Sequence, residues 1–219
     1  MSLWIKICGN TSLEDARFAA DAGADAVGFV FAPSPRMVTA AQAAAIVPNL
    51  SASVEKIGVF VDAAFEEIRA TVRAAGLTGV QLHCETGPQM PARLRAEFGP
   101  GFRILRVVHF GPETADQAQP LAVDSNVDAT LVDSRTATAV GGTGTIFDWQ
   151  AARETLLRDA AERRVVVAGG LNPANVATAI GILRPWGVDV VSGVEAAPGR
   201  KDPAKVREFI VNARVTDQS

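Results

Sequence analysis

The sequence predicts an α/β protein, a single closed barrel of eight β/α units, and three observations lead there. Eight short apolar, β-branched runs recur along the 219 residues. Segments with helical patterning separate them. The runs start at intervals of about one strand, one helix and two short loops. They are Trp4–Ile7, Ala26–Phe31, Lys56–Val61, Thr78–Leu82, Arg103–Val108, Asp128–Val132, Arg164–Ala168 and Val188–Val191. Alternating units of this kind imply parallel strands joined by right-handed crossovers, and eight of them close most simply into a (β/α)8 TIM barrel. No linker divides the chain, so residues 1–219 read as one domain. An open doubly wound sheet is the alternative. Against it, the first β/α junction, Cys8-Gly9-Asn10-Thr11, lacks the glycine spacing of a dinucleotide-binding turn.

The connecting segments carry helix signals. Ser12 is placed to cap the first helix, with Asp15 in its first turn. Ala40–Ala45 suits a helix packed closely on a sheet. Asn172-Pro173 and Asp202-Pro203 each read as a cap followed by proline at the first helical position. Pro112–Val123 carries the weakest helical pattern. The longest gap, between the sixth and seventh strands, holds Ser134–Thr145 and is rich in Gly and Thr, as functional loops often are.

Composition narrows the function. Hydrophobic residues make up 48% of the chain, yet no apolar run approaches the ~18–20 residues of a membrane span. The N-terminus lacks the layout of a secretory signal, so a cytoplasmic protein is expected. Net charge is −3, with Lys and Arg scattered, which leaves no footprint for nucleic acid. The two cysteines, Cys8 and Cys84, are far apart and outside any Cys/His cluster, so neither a metal site nor a disulfide is expected. A barrel of this size can stand alone, and a monomer is the expectation.

In such barrels the chemistry lies at the carboxyl ends of the strands. The residues found there are Cys8-Gly9-Asn10, Ala32 through Arg36, Asp62, His83-Cys84, His109, Asp133-Ser134, Gly169-Gly170 and Ser192-Gly193-Val194-Glu195. Both histidines, both cysteines and two isolated aspartates thus fall on one face, which helix packing does not require. Glycine pairs after strands seven and eight, where barrels commonly bind phosphate, point to a small anionic ligand. Alternation adds that Lys6 and Cys8 share a side, as do Ala129, Leu131 and Asp133. Lys6 then either enters the barrel, where it needs a carboxylate partner and would lower the thiol pKa, or snorkels outward between the helices.

The ordered motifs Lys6-Ile7-Cys8-Gly9, Gly28-Phe29-Val30-Phe31 with Ser34-Pro35-Arg36, Val80-Gln81-Leu82-His83, Leu131-Val132-Asp133-Ser134, Gly141-Gly142-Thr143-Gly144, Ala168-Gly169-Gly170-Leu171-Asn172-Pro173 and Ser192-Gly193-Val194-Glu195 span nearly the whole chain. Together they resemble the phosphoribosylanthranilate isomerase family of tryptophan biosynthesis. The resemblance implies a cofactor-free Amadori rearrangement of a phosphorylated aminosugar, an aldose–ketose isomerisation. It implies Asp133 as general acid and Cys8 as general base. Arg36 would bind the anthranilate carboxylate, Gly170, Ser192 and Gly193 would cradle the phosphate, and His83 and Gly142 would complete the substrate-binding set. Two positions depart from the family pattern: Cys84 replaces a glycine, and Val191 replaces the first of two serines. The alternatives are the histidine-pathway aminosugar isomerase, which would use two aspartates, and a phosphate-binding barrel without isomerase activity.

Overall fold

A computed structural model describes residues 2–83, 89–109, 124–133, 153 and 164–217. Its strands form a closed barrel in the order β1 to β8, every adjacent pair parallel and β1 paired with β8. The strands are β1 Trp4–Ile7, β2 Ala26–Val30, β3 Glu55–Val61, β4 Gly79–His83, β5 Arg103–His109, β6 Ala129–Asp133, β7 Val165–Ala168 and β8 Gly187–Val190. All eight predicted strands are present, with ends moved by one residue in most. Barrel pairing takes in His83 and Asp133, at the two junctions that matter most for the mouth. The predicted helix at Pro112–Val123 and the loop Ser134–Thr145 lie outside the described residues.

The described helices are α1 Leu13–Asp21, α2 Ala40–Ile46, α3 Phe65–Ala75, α4 Met90–Phe98, α5 Val176–Leu183 and α6 Pro203–Asp217. Ser12 caps α1 by accepting from the Asp15 amide at 3.1 Å. Thr39 and Gln42 form a reciprocal capping box at α2. Asp202 accepts from the amides of Ala204 and Lys205, as expected for the start of α6. Asn172 does not cap a helix at Pro173. Its side chain accepts from the Ala174 amide in a turn, and α5 begins only at Val176. A short Asn side chain satisfies its neighbouring amides equally well in a turn.

The apolar core has two layers. The outer one, between strands and helices, includes Ile5, Phe29, Leu82, Leu94, Val188 and Phe209. The inner one fills the barrel with Trp4, Ile57, Leu105, Val107, Leu131 and Val166. Trp4 stacks on Trp186 at the amino-terminal end, with ring centroids 5.2 Å apart. Because Trp4, Ala129 and Leu131 belong to the inner layer, alternation turns Lys6, Cys8 and Asp133 inward as well. No described helix is long and apolar enough to cross a membrane.

Candidate active site

Cys8 follows β1 and extends its ladder, its amide donating to the Val190 carbonyl at 2.9 Å. The residue is 2% exposed. Gly28, on the neighbouring β2, leaves it room: a Cβ there would come within 2.5 Å of the Cys8 sulfur. A glycine inside a strand often marks such close approach. Asn10, fully buried, donates to the carbonyls of Ile7 and Gly28 and fixes the turn after the thiol.

Lys6 enters the barrel. It is 0% exposed, and its ammonium donates to Asp189 Oδ1 and Gln81 Oε1, each at 2.9 Å. Burial alone would lower its pKa, but the neighbouring Asp189 carboxylate and Cys8 sulfur outweigh burial and raise it. Lys6 lowers the thiol pKa, as expected, but against a larger opposing effect. Burial pushes the Cys8 thiol up, Lys6 opposes it, Asp189 adds to the rise, and the result stays above the ordinary thiol value. Lys6 acts in the expected direction but does not overcome desolvation.

Asp133 ends β6, is 3% exposed, and pairs in register with His109 of β5 and Ala168 of β7. His83, half-buried, ends β4 on the same inward parity as Gln81. The Arg36 guanidinium grips Glu195 with two hydrogen bonds, Nε to Oε1 at 2.8 Å and Nη2 to Oε2 at 2.6 Å. Glu195 also receives Lys201 Nζ at 3.3 Å. Burial works against its ionisation, yet the Arg36 hydrogen bonds and the Lys201 charge prevail and hold the carboxyl below the usual range. Lys201 further donates to the Cys8 carbonyl at 2.6 Å and the Val191 carbonyl at 3.2 Å, tying the two strand ends together.

The loops after β7 and β8 meet over a solvent-open concavity lined by Gly169, Gly170, Leu171, Asp189, Val191 and Ser192. Gly169 and Gly170 both take positive φ, +87° and +65°, a curl that other residues resist. Gly193 packs so closely that a Cβ would lie 1.9 Å from the Leu171 carbonyl oxygen. Ser192–Val194 is a short 3-10 turn, followed by a small hairpin of β9 Glu195–Ala197 and β10 Arg200–Lys201. Among the described residues no cluster of His, Cys, Asp or Glu is placed to hold a metal ion.

The structure therefore gathers Cys8, Asp133, His83, Arg36, Gly170, Ser192 and Gly193 at one end of the barrel. Gly142 and Cys84 lie outside the described residues. Val191 contributes its backbone carbonyl where the family pattern has a serine. Sequence reasoning assigned no role to Gln81, Asp189, Gly28, Glu195 or Lys201, although Gln81, Gly28 and Glu195 stand within the family motifs. A signal existed for the first two, since each is a polar residue at an inward position of an apolar strand.

A closed parallel barrel with a buried thiol, a buried carboxyl and glycine-lined loops at its carboxyl-terminal mouth has the layout of a β/α-barrel enzyme. A family profile described as N-(5'-phosphoribosyl)anthranilate (PRA) isomerase matches residues 5–212. A protein named N-(5'-phosphoribosyl)anthranilate isomerase from Pelobacter propionicus is 45% identical over 213 residues, 97% of this chain and 96% of its own. The crystal structure of phosphoribosyl anthranilate isomerase from Thermotoga maritima superposes with a TM-score of 0.79 at 37% identity, covering 97% of this chain and 99% of that one. A further structure, of the isomerase in complex with reduced 1-(o-carboxyphenylamino)-1-deoxyribulose 5-phosphate, gives a TM-score of 0.76 at 35% identity over 97% of this chain and 99% of its own. The chain belongs to the N-(5'-phosphoribosyl)anthranilate isomerase family, the isomerases of tryptophan biosynthesis, and is an enzyme.

Proposed function

We propose that this chain converts N-(5-phosphoribosyl)anthranilate to 1-(2-carboxyphenylamino)-1-deoxyribulose 5-phosphate, with Asp133 as general acid and Cys8 as general base. The observation that carries the reading is a thiol and a carboxyl, both buried and both turned inward at the mouth beside the glycine-lined concavity. The isomerase in complex with the reduced deoxyribulose phosphate shares this fold. In the first step the Asp133 carboxyl gives its proton to the ribose ring oxygen, the C1'–O bond breaks, and the nitrogen lone pair forms an iminium. In the second, the Cys8 thiolate takes the C2' proton and the C–H electron pair neutralises the iminium, giving an enolamine. Protonation of C1', with loss of the C2' hydroxyl proton, yields the ketone. Burial favours both transfers, because it keeps water from competing for the protons.

Arg36, anchored by Glu195, is the residue for the anthranilate carboxylate. Gly170, Ser192 and Gly193, with Gly142, form the phosphate cradle, and His83 completes the mouth. The reading extends to one barrel domain over residues 1–219, working as a monomer in a reducing cytoplasm. A buried free thiol at the mouth supports that compartment. The Thermotoga maritima relative is described as dimeric, so sedimentation of this chain decides its own state.

The test is turnover of N-(5-phosphoribosyl)anthranilate under anaerobic, reducing conditions. Consumption with formation of the deoxyribulose phosphate is expected, and failure of the wild-type enzyme to consume it refutes the reading.

A further inference from the structure

The buried cation beneath Cys8 has no part in the steps above. It is a costly feature, because an ammonium and a carboxylate have both been taken out of water there. The Lys6 and Asp189 side chains are 0% and 5% exposed. Replacing such a pair with apolar side chains is often neutral or stabilising, so stability does not account for it. Its position does. Lys6 and Cys8 are two residues apart on the same inward face of β1, so the ammonium stands beside the sulfur. Asp189 is the in-register neighbour of Lys6 on β8, and Gln81 reaches it from β4 across the barrel. Two N–H donors of the ammonium are thereby fixed, which fixes where the third points.

We propose that Lys6 is a positioning residue for the reaction: anchored by Asp189 and Gln81, its ammonium compensates the charge that appears on the Cys8 sulfur when the thiol gives up its proton. The inference rests on Cys8 as the base. The balance is simple. The thiol S–H bond breaks and its proton passes to solvent, leaving a thiolate beside the ammonium. The thiolate then forms a new S–H bond with the C2' proton while the C–H pair moves to the iminium. Among the described residues, the charged groups that face the sulfur are Lys6 from its own strand, Asp189 from β8 and Lys201 from β10. Gly28 on the β2 side brings no charge, and Asp133 and His83 stand on the inward faces of β6 and β4. Burial and Asp189 oppose ionisation, while Lys6 and Lys201 favour it.

Two variants move the thiol in opposite directions. Ionisation of Cys8 is read from thiolate absorbance in the far ultraviolet, as the difference between each protein and the same protein carrying Cys8→Ala. Cys84 cancels in that difference, and the chain contains no tyrosine to ionise over the same pH range. Lys6→Met is expected to move the Cys8 titration up by about 1–3 pH units, the usual effect of an adjacent opposite charge. The acid limb of the kcat profile is expected to move with it, and KM to change less than kcat. Asp189→Asn keeps the lysine and removes the opposing carboxylate, so it is expected to move the titration down. If Lys6→Met does not fold, Asp189→Asn alone carries the test. An unchanged or upward-shifted titration in Asp189→Asn, or an unchanged one in a folded Lys6→Met, overturns the role of Lys6. Full turnover by Cys8→Ser overturns the base assignment, a failure distinct from that of the titrations.

Discussion

The two apolar layers of this barrel obey different rules. The outer layer is a continuous sheath of Ile, Leu, Val and Phe around the strands. The inner layer is apolar only in part. Trp4, Ile57, Leu105 and Val166 fill the barrel, whereas Lys6, Gln81, Asp189 and Asp133 are also buried inside or at its mouth. The same strands build both layers, since alternate residues face opposite ways. The difference teaches where stability and function reside. Outside, burial of apolar surface dominates among the described residues, at about 25 cal/mol per Å². Inside, apolar burial has been given up for charges that cost desolvation and repay it only through geometry.

Breaking each layer separately should give opposite signatures. The largest effect belongs to the mouth. Cys8→Ser and Asp133→Asn are each expected to lower kcat by about 10²–10⁴-fold, the usual worth of a general base or acid. KM should move far less, because each group acts on the transition state, and the melting temperature should hardly change. Steady-state kinetics with a thermal melt on the same samples checks this.

The outer layer should behave conversely. Phe209 of α6 is fully buried, and Phe209→Ala is expected to cost about 3–5 kcal/mol in denaturant unfolding. The kcat of the protein that remains folded should be unchanged. A large fall in kcat for Phe209→Ala would show that the two layers are coupled.

Acid sharpens the comparison next. The Glu195 carboxyl is held below its ordinary value, so its charge contributes stability that is fully present above the unfolded glutamate pKa of about 4.3. That contribution is lost as pH falls through the folded value. The melting temperature should therefore drop on acidification from about pH 4.3 down to that folded value, and Glu195→Gln should make the drop shallower. Differential scanning calorimetry across acidic pH reads it, and an identical acid profile in the variant would count against the Arg36–Glu195–Lys201 cluster as its source.

The cradle glycines should differ, with the smallest effect at Gly170. Gly170 has positive φ but open space around its Cβ position, so Gly170→Ala should cost only backbone strain, about 1 kcal/mol. Gly193→Ala meets the Leu171 carbonyl and must displace the loop, so it should be worse both in stability and in KM. Equal effects from the two would contradict the packing described at this mouth.

Much of the molecule could be read along the chain, because it depends on local chemistry. Strand runs and the caps at Ser12 and Asp202 are properties of neighbouring residues. Strand alternation put Lys6 and Cys8 on one side of their strand and Asp133 with Leu131 on one side of theirs, and counting strands placed Cys8 and Asp133 at the same end. Asn172 was misread because a cap and a turn use the same side-chain hydrogen bond to a nearby amide.

What the sequence by itself determined is therefore the list of parts: eight β/α units, the shared side of Lys6 and Cys8 on their strand and of Leu131 and Asp133 on theirs, and the ordered motifs of the family. Tertiary structure decided the partnerships. Whether Lys6 turned in or out, that Asp189 and Gln81 would receive it, that Glu195 would grip Arg36, and that Gly28 would stand against the thiol all depend on barrel closure. The physical reason is sequence distance. Lys6 and Asp189 are 183 residues apart and Lys201 and Cys8 are 193 apart, yet each pair is within hydrogen-bond reach. Closure of β1 against β8 brings them together, and no local rule along the chain contains that pairing.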